Sequence, residues 1–438
     1  MRVIVSLLLA SFFCTKTYSQ SSNDHFNRGF AKHQAKDYKT AISEYSKAIE
    51  VNPNDTNAYY NRAIAKHNVE DFKGAISDYS TAVSLAPTKA NSYTGRGRTR
   101  HMQNDYKGAI EDYNKSLALF PGDAAVYEDR GDAKFELGDE KSAIEDYGKS
   151  IAIDSQSARV YAKRGDARFQ LKFYKGAFAD YNKAITMDPK DADYYNSRGD
   201  TRCELKDYKN AISDYGRAIG IEPKNADYFI SRADTKWLTD DLKGAIADYT
   251  MAIEIEPNDP DAYVGRGLTK DMLNDHDGAI VDYRKALNFA GAGKDYVLSA
   301  FIKKLLDDYK GAIDEYTKAL SVKPTEKKVY LMRGKTKLEL NDSKTAIADF
   351  NKAIELNPKD AEAYAYRGRS KIDLKDYMGA LADLDNAISL NSGDGEYYYN
   401  RGIIKIVLKR KDSGCSDLRR AAELGYIVDE NMVGENCK

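Results

Sequence analysis

The sequence predicts an all-α array of about twelve helix–turn–helix units, each 34 residues long. Three observations predict it. The segment DYKTAISEY at 37–45 returns as DFKGAISDY at 71–79 and DYKGAIEDY at 105–113, and ends as DYMGALADL at 376–384. A small residue recurs at Ala41, Ala75, Ala109 and onward to Ala380 and Gly414, always 34 residues apart except for 33 between Ala279 and Ala312. Eight of the nine prolines share one phase of that period, as at Pro53, Pro87 and Pro189. A unit this short cannot bury its apolar face alone, so it must stack on its neighbours.

Before the array comes an export address. Arg2 precedes an apolar run from Val3 to Phe13 and a polar stretch from Thr15 to Gln20. A basic start, a short apolar run and small residues before a cut form a secretory signal pattern. Thr17 and Ser19 suit the two recognition positions, so residues 1–19 are expected to be removed before Gln20. The run is too short for a stable span, and Phe13 before Cys14 does not fit a lipid-attachment site. The expected location is the bacterial periplasm or the exterior, where cysteines pair.

The units run 22–55, 56–89, 90–123, 124–157, 158–191, 192–225, 226–259, 260–292, 293–326, 327–360, 361–394 and 395–428. In each, the first helix carries Tyr, Arg-Gly and a cation at helical spacing, as in Tyr195, Arg198, Gly199 and Arg202. An Asp then caps the second helix in ten of the twelve units, as at Asp207. The second helix places Ala211, Tyr215 and Ala218 on one face. Proline stops it, because the ring has no N–H and clashes with the preceding turn. The short step at 286–296 lacks that proline and carries Ala290-Gly291-Ala292-Gly293, so glycine freedom predicts a bend there. The tail, 429–438, is expected to cap the open end.

The Ala-x3-aromatic and proline positions (Ala75, Tyr79, Pro87), with the period, resemble the tetratricopeptide repeat (TPR) family. Here Tyr59 stands where the family has Trp, Arg62 where it has Leu, and Lys66 where it has Tyr. The resemblance implies a right-handed solenoid whose first helices line a concave groove. The closing Gly-Cys-x-Asp-Leu…Cys resembles exported bacterial members. In the expected oxidising compartment, Cys415 and Cys437 should form a disulfide pinning the tail.

Composition and motifs exclude several functions. Lys+Arg at 67 against Asp+Glu at 68 gives no field to collect nucleic acid. Five His and four Cys leave little for a metal centre, and His33, His67 and His101 fall one period apart, too far for shared ligation. No HExxH, phosphate-binding loop or nucleophile elbow is present, so no catalysis and no cofactor are expected. Of 33 tyrosines, 25 sit at three helix-packing phases and are expected to fill inter-helix space. The Arg row is answered by an acid three residues after each repeat alanine, which predicts a structural ion-pair ladder typified by Arg198 and Asp214.

A partner would be read where units differ. Asp132, Asp166, Asp200 and Asp234 predict an acidic middle segment of the groove. Val297, Leu298, Phe301, Leu331, Met332, Tyr366, Tyr399 and Ile403, with Lys294, Lys328, Lys335 and Arg369 nearby, predict an apolar and basic lining towards the carboxyl end. The family's two-carboxylate clamp is not reproduced. The expected function is an exported scaffold that binds a protein or peptide in its groove. The alternatives are a self-associating envelope component and a carbohydrate- or polyanion-binding envelope protein.

Overall fold

In the computed structural model the described residues are 21–428 and Cys437. The expected signal segment 1–19 lies outside them, as does the tail at 429–436 and 438. The described residues form 24 helices and no strand. Contacts divide the chain into two compact units, one ending at Thr235 and the other starting at Lys236.

In the first unit, first helices are α1 (21–34), α3 (Thr56–Asn68), α5 (Ala90–Met102), α7 (Ala124–Glu136), α9 (Ala158–Gln170), α11 (Ala192–Glu204) and the start of α13 (Ala226–Leu238). They alternate with second helices α2 (Tyr38–Val51), α4 (Phe72–Leu85), α6 (Tyr106–Leu119), α8 (Glu140–Ile153), α10 (Tyr174–Met187) and α12 (Tyr208–Ile221). The second unit continues with α14 (Leu242–Ile255), α15 (Pro260–Met272), α16 (His276–Ala292), α17 (Tyr296–Leu305), α18 (Tyr309–Val322) and α19 (Lys327–Glu339). It ends with α20 (Ser343–Leu356), α21 (Ala361–Asp373), α22 (Tyr377–Leu390), α23 (Gly395–Val407) and α24 (Lys411–Glu423).

Each turn between paired helices is built alike. Glu70 takes φ +62°, its N–H reaches His67 O at 3.0 Å, and the next N–H reaches Lys66 O at 2.9 Å. These bonds satisfy carbonyls that the ending helix leaves open. Asp71 then starts α4 by accepting from Gly74 N at 3.0 Å. Three second helices start with no side-chain cap bond: α10 after Phe173 and α24 after Arg410, which have no Asp, and α12, where the expected cap Asp207 instead accepts from the Asn210 side chain at 2.9 Å.

Within each unit, first helices of successive repeats meet, as do α3 with α5 and α5 with α7, or α19 with α21 and α21 with α23. That layer is therefore the crowded, inner side of each unit. Between the layers, glycine faces an aromatic ring. A Cβ on Gly199 would lie 2.6 Å from Tyr215 Cε1, and one on Gly334 would lie 2.6 Å from Phe350 Cε1. The ring fills the space a side chain would take, so the helices close at native density.

The short step has a local cause. α16 has 17 residues where second helices such as α18 have 14, and α17 has 10 where first helices such as α19 have 13. Only Gly293, Lys294 and Asp295 separate them, whereas four residues, such as Asn52 to Asp55, join α2 to α3. One residue is thus lost. The expected use of glycine freedom is corrected: neither Gly291 nor Gly293 has positive φ, and Lys294 takes φ +57° instead. Asp295 then caps Leu298 N at 2.9 Å, so this junction reuses the turn found inside repeats.

Candidate functional site

The arginine row joins three helices. Arg198 donates from Nε and Nη2 to Asp214 Oδ2 and Oδ1 at 2.8 and 2.6 Å, and from Nη1 to Asn182 Oδ1 on α10 at 2.6 Å. Arg202, one turn on, also donates to Asp214. The same two-cation arrangement holds Asp78, Asp112, Asp146, Asp282, Asp349, Asp383 and Asp417. Arg198 Cζ also lies 5.5 Å from the Tyr195 ring centroid. The Tyr59-type tyrosines therefore act as cation–π platforms as well as packing. In repeat nine, Ser299 replaces Arg and its buried hydroxyl has no hydrogen-bond partner among the described residues, while Lys303 and Lys318 both reach Glu315 Oε1, at 2.8 and 2.9 Å. Because these guanidinium groups are committed to carboxylates, the row is not an open stripe for a polyanion.

The middle aspartates are less free than their sequence positions imply. Asp132, Asp166 and Asp200 each accept from the second-helix tyrosine of their own repeat, Tyr147, Tyr181 and Tyr215, at 2.8, 2.7 and 2.8 Å. Asp132 also meets Lys163 Nζ at 2.6 Å, and Lys163 meets Glu128 at 2.7 Å. Repeat four thus withdraws from the expected acidic surface, because neighbouring cations neutralise it. Asp166 and Asp200 remain, each held by the tyrosine of its own repeat. Burial pushes the carboxyls of Asp166 and Asp200 up, partly offset by the tyrosine hydroxyls, while Asp193 and Asp234 add repulsion.

That direction has a consequence for pH. A carboxyl raised in the fold binds its proton more tightly there, so its contribution is present at low pH and lost as pH rises through the folded value. Asp200→Asn keeps an acceptor for Tyr215 and removes the buried charge. It is expected to stabilise the protein at pH 7 and to flatten the stability gain of the wild type as pH falls from 7 towards the ordinary carboxylate range. Urea midpoints across that range check this; destabilisation at pH 7 would contradict it.

Towards the carboxyl end, the predicted lining divides. Val297, Phe301 and Met332 are 36, 42 and 41% exposed. Leu331 is corrected to the core: it is 9% exposed and packs with Phe350, Ala353 and Ala363, because its position turns towards the second-helix layer. Leu298 is half-buried against the cluster around Ile302 and Tyr283. Tyr399 is also corrected, because Tyr426, just past α24, covers it at 4.9 Å between centroids. Ile403 is half-buried and Arg369 exposed. Lys335 meets Glu362 at 2.8 Å and lies 4.7 Å from the Tyr366 ring centroid.

One offset organises these contacts. Arg98 reaches Asp129, Asp132 reaches Lys163, and Lys335 covers Tyr366, each 31 residues along the chain. Phe301 and Met332 stand at the same offset, one repeat before the Lys335–Tyr366 pair.

The sequence reading missed two hollows in repeats two and three, where Tyr60 on α3 and Asn91 on α5 line both. Thr94 and Gly95, small residues beside the arginine, were the available signal. The histidines have a packing role: His33, His67 and His101 meet Tyr38, Phe72 and Tyr106 edge-on at 5.3, 5.4 and 5.1 Å, and Phe169 meets Tyr174 likewise. Among the described residues no cluster of three metal-ligating side chains occurs, and no helix is long and apolar enough to cross a membrane. Cys415 and Cys437 are joined, with Cα atoms 5.5 Å apart. Cys203 lies 3.1 Å from Thr235 Oγ1 and 3.4 Å from the Tyr215 hydroxyl, and burial pushes its thiol up.

No curated protein sequence matches the chain. Solved structures do. A TPR protein from Parabacteroides merdae shares 18% identity over 57% of this chain and 99% of its own, with TM-score 0.44. The carboxyl-terminal part of a TPR repeat-containing protein from Cytophaga hutchinsonii shares 20% over 55% and 98%, with TM-score 0.49. Yeast Tom70 shares 16% over 93% and 92%, with TM-score 0.45. Family models described as TPR repeat match residues 29–69, 131–172 and 165–205. Others described as tetratricopeptide repeat match 60–124, 192–225, 327–360 and 350–382. Together these segments take in more than half of the chain, and the helix pairs carry the same period throughout: the chain belongs to the tetratricopeptide repeat family.

Proposed function

We propose that this protein is an exported, non-catalytic adaptor that docks a protein or peptide on the first helices of repeats nine to eleven. TPR arrays are scaffolds for protein–protein interaction in general. The observation that supports this particular face is the exposed apolar set Val297, Phe301 and Met332 beside Lys335 and Arg369. Isolated exposed apolar residues are ordinary, but a contiguous set rimmed by charge suits an interface. Its chemistry fits an amphipathic helix, with an acidic polar face, laid in a groove. Export is supported by the pattern at 1–19 and by the Cys415–Cys437 pair, which persists in oxidising compartments.

The test is affinity capture from the exported fraction of native cells, with wild type and Phe301→Asp side by side. The expected result is one partner retained by the wild type and reduced at least ten-fold by the variant, about 1.4 kcal/mol or more. The captured bait should begin at Gln20, with both terminal thiols oxidised. Equal retention by the variant would contradict the docking face, and an intact Met1 or free thiols would contradict export. If light scattering shows a dimer that Phe301→Asp dissolves, the same face serves self-association instead.

A further inference from the structure

The two hollows in repeats two and three have volumes of about 420 and 370 Å³ and open side by side between α3 and α5. Each is in the lower range of ligand sites and larger than one side chain needs. The larger one is lined on α5 by Thr94 and Gly95, whose small size leaves it open. The Tyr79 ring lies where a Cβ on Gly95 would be, at 2.5 Å, and packs edge-on against Tyr60 at 5.8 Å. No side chain from position 95 can therefore close the space in front of Tyr60 and Ile64.

The polar groups at this opening are asymmetric. Arg98 is half-exposed; its Nε donates to Asp129 Oδ2 at 2.6 Å, and its guanidinium makes no other hydrogen bond or ion pair among the described residues. Both terminal nitrogens remain for a ligand. Lys89, at the rim of the second hollow, donates to Asn57 Oδ1 at 2.9 Å. Asn91, between the two hollows, is exposed and makes no hydrogen bond among the described residues. The nearby acids are already engaged: Asp129 holds Arg98, and Asp123 accepts from Ala125 N and Val126 N at the start of α7. What the opening offers is an apolar wall, a guanidinium fork and a free carboxamide.

We infer that repeats two and three hold a second peptide site, specific for an acidic residue within a few positions of a large apolar one. The apolar side chain packs on Tyr60 and Ile64, and the carboxylate pairs with the Arg98 fork, which suits it bidentately. The Asn91 carboxamide, both donor and acceptor, pairs with one main-chain amide of an extended segment. The inference rests on the reading of the protein as a docking scaffold, but not on the face at repeats nine to eleven.

An array of acetylated twelve-residue Gly/Ser peptides tests it. The peptides carry Glu alone, Phe alone, both at spacings of one to four, or Gln with Phe, and the purified protein is the labelled probe. Peptides with Glu and Phe close together are expected to bind at least ten-fold more tightly than their Gln counterparts. Arg98→Gln should abolish that ten-fold difference while keeping the Phe preference, and Tyr60→Ala should abolish the Phe preference. Asn91→Ala, whose side chain supports nothing in the fold, should weaken every bound peptide several-fold. Phe301→Asp should change none of this. Absence of any Glu-and-Phe dependence, or its persistence in Arg98→Gln, overturns the site. A pattern lost in Phe301→Asp but kept in Arg98→Gln moves peptide docking to repeats nine to eleven and removes it from here. The opposite outcome establishes this site whatever becomes of the other face.

Discussion

Asp214→Ala is expected to cost about 3–5 kcal/mol of stability, as does breaking a buried ion pair by removing one partner. Asp214 is 3% exposed and holds two cations, Arg198 bidentately and Arg202 through one oxygen. Its loss leaves two guanidinium groups close together with no carboxylate between them. Arg198 would keep only the Asn182 amide and the Tyr195 ring. Arg198→Met alone should cost less, because Asp214 retains Arg202. Arg198→Met with Asp214→Leu should cost well under the sum, since no charge is then stranded. Urea unfolding of the four proteins, with hydrogen exchange to confine the loss to repeats five to seven, measures this. Strictly additive effects would mean that the row is decoration rather than a ladder.

The ladder should also set the acid limit. Burial raises the carboxyls of Asp146 and Asp282, and bonds from Arg130 and Lys134, or Arg266 and Lys270, outweigh it and leave them lowered. A lowered carboxyl contributes stability above its unfolded value, near 4, and loses it as pH falls through the folded one. The sign is opposite to that of Asp166 and Asp200. Acidification should therefore help slightly at first and then unfold the array below about pH 4.

Gly199→Ala is expected to cost about 1–3 kcal/mol, the usual range for overpacking a filled core. Its new methyl would sit 2.6 Å from a Tyr215 ring that is 2% exposed and anchored to Asp200 at 2.8 Å. The ring has nowhere to go without giving up that bond. The protein supplies its own control. In repeat eleven, Gly368 faces Leu384 at 3.3 Å instead of an aromatic ring. Gly368→Ala should cost less than half as much, because Leu384 can shift by a few tenths of an ångström. Thermal melts of the two variants distinguish them, and equal losses would show that helix propensity, not ring contact, governs the position.

The scaffold was legible because it is periodic. One wrong reading of a single unit is corrected by eleven others, so the helices, their Asp starts and the pairing of Arg198 with Asp214 follow from repetition. The inner layer was not, because it is built from what the repeats do not share. Asp132 reads as a free acid until Lys163 is brought onto it by a contact between repeats. Leu331 and Met332 are adjacent in sequence, yet one enters the core and the other the solvent. The hollow beside Tyr60 follows from two small residues, Thr94 and Gly95, that look like ordinary variation. The missing rule was the 31-residue offset between first helices, which pairs Arg98 with Asp129 and Lys335 with Tyr366. Applied to the sequence, it would have separated neutralised acids from open ones.

On the proposed reading, repeats nine to eleven receive a partner on their first helices. Hydrogen–deuterium exchange of the protein with its captured partner tests that claim most directly. New protection is expected in α17, α19 and α21, with α18, α20 and α22 unchanged. Protection centred on the second helices, or none in repeats nine to eleven, would contradict it.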